Sequence, residues 1–119
     1  MEEREIAAFL GRVHTILDEH GFVLWPREKN NAFRKETGFK YADVKRVLQA
    51  LHPRDYQWGP REDDTPSRTP GEVWAFAPEY AGYDLWVKLK LPDGQPPIVE
   101  CISFHEAESP PTRPGWRPR

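Results

Sequence analysis

From Tyr83 to Leu91 the chain alternates without a break. Tyr83, Leu85, Val87, Leu89 and Leu91 share one side of an extended backbone, and Asp84, Trp86, Lys88 and Lys90 share the other. Successive side chains of a strand point to opposite faces, so this period of two predicts a strand with one face in a core. Pro92-Asp93-Gly94 ends it, because proline fixes φ and glycine tolerates positive φ. The run Pro97 to His105 resumes and is more uniformly apolar, as an interior strand reads. Its alternation places Ile98, Ile102 and Phe104 on one face and Val99, Cys101, Ser103 and His105 on the other. Paired as a hairpin, the two strands predict a surface of Trp86, Lys88, Lys90, Ser103 and His105 turned away from the aliphatic side chains. An aromatic ring, cations and an imidazole together suit a planar, anionic ligand.

The rest of the chain supplies what this hairpin packs against. Ile6, Phe9, Leu10, Val13, Ile16 and Leu17 follow helical spacing, which predicts a helix over residues 2–19 with Gly21 as its stop. Phe22 to Trp25 reads as a short extended segment, an edge strand or a core-filling connection, closed by Pro26. Asn30 is placed to cap a short helix from Asn31 to Glu36. Val44, Val47, Leu48 and Leu51 predict a third helix over 41–52, ended by Pro53. Strands are expected at 55–58 and 72–77, before those at 83–91 and 97–105. Helices gathered ahead of a meander make an α+β domain over residues 1–108, an antiparallel sheet with helices on one face and the other face open. Prolines crowd residues 109–119, which read as a tail, disordered or docked.

Length and charge bound the function. A chain of 119 residues has room for one core. No apolar run approaches the roughly 18 residues of a membrane span, so no membrane partner is expected. The acidic start, Met-Glu-Glu-Arg-Glu, does not read as a signal peptide, and the lone Cys101 forms no internal disulfide. Both features fit a cytoplasmic protein. Net charge is −2, yet residues 21–54 hold eight Lys/Arg against three acids, a local positive stretch.

Phosphate-binding glycine loops, His-Glu-x-x-His helices and Gly-x-Ser-x-Gly elbows do not occur. His14, His20, His52 and His105 lie on different predicted elements without metal-ligand spacing, so neither a metal nor another cofactor is expected. His105 is the leading proton-transfer residue, since an unperturbed imidazole titrates at about 6.5. A satisfied histidine at a strand end is the plain alternative. Lys88 and Lys90 suit a phosphate and the charge of a phosphorane, or form an ordinary polar strand face. Trp86, flanked by charges at alternate positions, is a better base-stacking residue than Trp74.

Four segments together resemble the MqsR-like toxin family: Asp55-Tyr56-Gln57-Trp58-Gly59-Pro60, Gly71-Glu72-Val73-Trp74-Ala75-Phe76, Leu85-Trp86-Val87-Lys88-Leu89-Lys90 and Cys101-Ile102-Ser103-Phe104-His105-Glu106-Ala107. The resemblance spans residues 40–108 and implies a RelE-like α+β fold. It also implies an mRNA interferase: a metal-independent endoribonuclease using the RNA 2′-hydroxyl as nucleophile, with a cognate antitoxin as partner. Lys88 matches a family lysine. Trp58, Ala75 and Trp86 stand where the family carries lysine, glutamine and a catalytic tyrosine, and His105 stands where it carries a lysine. The roles this implies are His105 as acid or base, Lys88 and Lys90 on the phosphorane, and Trp86 as a stacking platform. Tyr56, Trp58, Arg54 and Arg46 join as RNA contacts, and Tyr56, Tyr83 or Glu106 would have to supply a second proton transfer. The alternative on the same scaffold is a catalytically inactive module that binds RNA or protein.

Overall fold

A computed structural model describes residues 1–62, 71–92, 97–109 and 111. The turn expected at Asp93-Gly94, the acidic pair Asp63 and Asp64, and most of the proline-rich tail lie outside the described residues. Helix α1 (Glu3–His20) buries Ile6, Phe9, Leu10, Val13 and Leu17, the stripe expected from the sequence. It stops at Gly21, whose φ of 83° suits glycine and whose N–H closes the last turn onto Ile16 and Leu17. Helix α3 (Tyr41–Gln49) buries Val44, Val47 and Leu48. It ends earlier than the predicted 52, and a single 3₁₀ turn (Pro53–Asp55) follows. The Asp55 carboxylate accepts the His52 N–H at 2.9 Å and holds that turn. His14 Nε2 donates to the Leu48 carbonyl at 3.0 Å and ties α1 to α3.

The strands are β1 (Phe22–Leu24), β2 (Tyr56–Glu62), β3 (Glu72–Phe76), β4 (Glu79–Tyr80), β5 (Tyr83–Lys90) and β6 (Val99–Glu106). They lie in the order β1-β6-β5-β3-β2, with β4 paired to the start of β5. The fold is therefore α+β, but the sheet is mixed where a purely antiparallel one was expected. The segment Phe22 to Leu24 is a strand parallel to β6, with Phe22 opposite Val99 and Leu24 opposite Cys101. A parallel pair needs a long crossover and leaves no hairpin signal in the sequence. The turn expected over Glu79 to Gly82 is present, with Glu79 and Tyr80 paired as the short strand β4: Ala81 and Gly82 have φ of 52° and 86°, the paired positive values of a tight primed hairpin.

Leu85, Val87 and Leu89 join Trp74, Phe76, Phe104, α1 and α3 in one apolar cluster. Phe9 lies flat on Trp74, ring centroids 4.2 Å apart. Burying each such side chain gives about 1.5–3 kcal/mol. The surface pairs Arg4–Glu2 and Arg46–Asp43 are screened by water, so the cluster dominates the stability.

Strand β6 corrects the expected alternation. Lys88 faces Ser103, but Leu89 faces Cys101, so Ile102 is the extra residue of a β-bulge. The bulge flips the parity. Val99 and Cys101, expected beside Ser103 and His105, are in the apolar cluster instead, while Ser103 and His105 stay opposite Lys88 and Trp86.

Helix α2 (Glu28–Thr37) runs along the edge of β6. Asn30 is inside it and fully buried, not at its cap. Its Nδ2 donates to the Trp25 and Ile102 carbonyls, both at 3.0 Å, and its Oδ1 accepts the Phe104 N–H at 2.9 Å. A side-chain amide thus continues the ladder where β1 stops, and α2 covers an edge that would otherwise be open. Among the described residues no helix is long and apolar enough to cross a membrane.

Candidate functional site

Two cross-strand pairs build the site. Trp86 lies opposite His105, and Lys88 lies opposite Ser103, on the sheet face away from the apolar cluster. Directly opposed residues bring their Cβ atoms within roughly 4.5–5.5 Å, so the four side chains are neighbours by register alone. The Lys88–Ser103 pair extends across the sheet through Ala75 to Trp58. A second irregularity in β2, between Tyr56 and Trp58, leaves Gln57 on the same side.

Gln57, Trp86, Lys88, Ser103 and His105 line a cavity of about 510 Å³, while Trp58 and Ala75 do not reach it. Arg27 and Lys29 enter it from the start of α2, and Ala107, Glu108, Ser109 and Pro111 come from the segment after β6. Among the described lining residues, Arg27, Lys29 and Lys88 face one carboxylate, Glu108, so the cavity favours anions. Lys29 hydrogen-bonds and ion-pairs with Glu108 and holds its carboxyl below the usual range, with a smaller contribution from His105. Arg27 Nη1 donates to Ser103 Oγ at 2.8 Å.

His105 is half-buried at the wall. Its Nδ1 lies 2.9 Å from the Glu106 carbonyl, which only accepts, so the proton of the neutral ring sits on Nδ1. That leaves the Nε2 lone pair as the basic position. Trp86 stands beside Trp58 with centroids 6.4 Å apart, and the Arg61 guanidinium covers Trp58 at 4.0 Å.

The other expected site residues are placed elsewhere. Lys90 has the right parity, but it is 0 % exposed and does not line the cavity. Its Nζ lies 5.6 Å from the Trp25 ring, and a methyl group at Gly71 would come within 3.0 Å of its aliphatic stem. Tyr56 turns to the apolar side, edge-on to Trp74 and Phe76, and its hydroxyl donates to the Gly59 carbonyl at 2.6 Å. Arg46 belongs to α3, where it donates to Tyr80 and Asp43, and Arg54 is exposed in the 3₁₀ turn; neither lines the cavity. Trp74 is in the core, and the face expected to be open buries Val73, Ala75 and Ser103.

Sequence reasoning missed Arg27, Lys29, Gln57 and Glu108. Arg27 and Lys29 carried the only signal, as part of the basic stretch 21–54. Cys101 is fully buried, which pushes its thiol far above the usual range and removes it as a nucleophile. Among the described residues no group of three or more His, Cys, Asp or Glu converges as a metal site. No family model, curated protein or solved structure matches this chain.

Proposed function

We propose that this chain is a metal-independent endoribonuclease acting on single-stranded RNA, an mRNA interferase of the MqsR-like toxin type on a RelE-like fold. A cognate antitoxin is its proposed partner and the cytoplasm its proposed compartment. The observation that carries the reading is His105, with Nε2 as its basic position, opposite Trp86 and beside Lys88 in a cavity rich in cations. A base needs a free lone pair near neutral pH, a phosphoryl centre needs cations, and an unpaired base needs an aromatic face. A cavity of about 510 Å³ suits a splayed-out nucleotide unit rather than a duplex.

In this mechanism Nε2 takes the proton of the 2′-hydroxyl, whose oxygen attacks the adjacent phosphorus. The bond to the 5′-oxygen breaks, leaving a 2′,3′-cyclic phosphate and a 5′-hydroxyl that takes its proton from solvent. Lys88 stabilises the charge on the phosphorane, and Trp86 stacks on a flanking base. Lys90 supports the strand rather than the phosphate, because it is buried away from the cavity.

A second reading, an RNA- or protein-binding module without catalysis, is favoured by Trp86 standing where the MqsR-like pattern has a proton-transferring tyrosine. Cleavage of a long RNA in the presence of a chelator separates the two. His105→Ala is expected to lose about 10²–10⁴-fold in rate, while exposed Lys45→Ala keeps the wild-type rate. Equal rates for His105→Ala and wild type would remove His105 from the mechanism. Cleavage abolished by the chelator would contradict metal independence, and RNA binding without cleavage by wild type would establish the second reading.

A further inference from the structure

Ser103 belongs to the cavity wall. It is 1 % exposed, and its hydroxyl accepts a hydrogen bond from Arg27 Nη1 at 2.8 Å. A serine hydroxyl also carries one donor proton. Among the described residues that hydroxyl is not within hydrogen-bond distance of an acceptor for its proton, although the side chain lines the cavity. Nearly buried hydroxyls seldom leave a donor unused, because an unmade hydrogen bond costs about 1–3 kcal/mol. The unspent donor therefore marks where a ligand acceptor belongs.

The surroundings define that acceptor. Lys88 lies directly across the strands from Ser103. The Arg27 guanidinium is planar and always charged, and it has five N–H donors. One of them is committed to Ser103 Oγ, which anchors the fork at the wall. The bond also polarises the Ser103 hydroxyl, which makes its proton a better donor. A neutral hydroxyl donor flanked by a guanidinium and an ammonium fits a tetrahedral oxyanion and offers nothing to a cation or an apolar group.

We infer that Ser103, Arg27 and Lys88 form a phosphate subsite, in which Ser103 both donates to a phosphate oxygen and positions Arg27. Assigning this phosphate to an RNA backbone rests on the nuclease reading above; the subsite itself does not. Arg27 acts here as a planar clamp, so a lysine cannot replace it.

The test is titration of inorganic phosphate into the isotopically labelled full chain, read by NMR at the Ser103 amide and the Arg27 side-chain Nε–H. Wild type is expected to show saturable shifts at both groups. Arg27→Ala, Arg27→Lys and Ser103→Ala are each expected to weaken phosphate binding about tenfold or more, read at the Ser103 or residue-103 amide, since hydrogen bonds to charged groups are the strong ones. Lys45→Ala, an exposed cation on α3, should bind as wild type does. Arg27 is exposed, so its variants test the clamp even where Ser103→Ala lowers stability. Absence of saturable shifts in wild type would overturn the subsite, as would unchanged affinity in Arg27→Ala or full retention of affinity in Arg27→Lys. Phosphate binding with the expected losses, but without RNA cleavage, would uphold the subsite and refute the nuclease reading alone.

Discussion

Replacing Asn30 tests how the sheet edge is closed. The side chain is 0 % exposed and makes three hydrogen bonds, to Trp25, Ile102 and Phe104. Asn30→Ala removes all of its partners at once. The Phe104 N–H and the Ile102 carbonyl then stay buried with nothing to meet, since α2 covers them from water. Each unsatisfied group costs about 1–3 kcal/mol, so a loss of about 3 kcal/mol is expected. A typical domain has only about 5–15 kcal/mol in total, and this loss lowers Tm by roughly 10–20 °C. Asn30→Asp should be worse near neutral pH. It keeps the acceptor for Phe104 but turns a carboxylate toward two carbonyls. Burial raises that carboxyl above its unfolded pKa, so the folded variant holds the proton more tightly and loses stability as pH rises. The assay is urea and thermal unfolding followed by circular dichroism, for wild type and both variants between pH 4 and 7. An Asn30→Ala protein within about 1 kcal/mol of wild type would refute the reasoning, because the hydrogen bonds would then be replaceable by water.

Three further outcomes follow from other parts of the fold. Asp43 is held below the usual carboxylate range first by the Lys40 backbone N–H, then by the Tyr80 hydroxyl and by Arg46. Its contribution is full above the unfolded pKa of about 3.9 and is lost as pH falls through the lower folded value, so the Tm gap between wild type and Asp43→Asn should close below about pH 4. Ala81 sits at φ 52° in the β4–β5 turn, a conformation that costs an L-residue about 1–2 kcal/mol, so Ala81→Asn should raise Tm by a few degrees in a thermal melt. The buried, pKa-raised Cys101 should resist iodoacetamide at pH 8 in the folded protein and react once the chain is unfolded in urea, as mass spectrometry would show.

Strand β5 was legible because its alternation is local and uninterrupted, and its two faces appear in the structure as the apolar cluster and the cavity wall. Strand β6 was legible only in part, because a bulge changes parity without changing composition, and Ile102 looks like any other apolar strand residue. Asn30 illustrates a different limit. Its position before a helical run fits a cap, yet two of its three partners are 72 and 74 residues away. The pairing of β1 with β6 and the arrival of Arg27 at Ser103 are likewise long-range and leave no periodic trace. Lys90 was misplaced for a physical reason of another kind. Alternation tells which face a side chain takes, but not how far along that face the cavity extends, and Trp25 covers the face where Lys90 lies.

The bulge at Ile102 makes one strand serve two tasks in succession. Before it, β6 delivers Val99 and Cys101 to the interior; beyond it, the strand delivers Ser103 and His105 to the cavity, with Phe104 returning to the interior between them. A slip of one residue would exchange these assignments, driving His105 into the position of Phe104 and setting Phe104 against the cavity. Such a slip would break the apolar packing and dismantle the cavity in the same step. The geometry of the cavity therefore has no independent existence: it forms when the interior forms, and it is protected by the full cost of unfolding. A variant that keeps the strand but deletes Ile102 would force the chain to choose between its interior and its cavity.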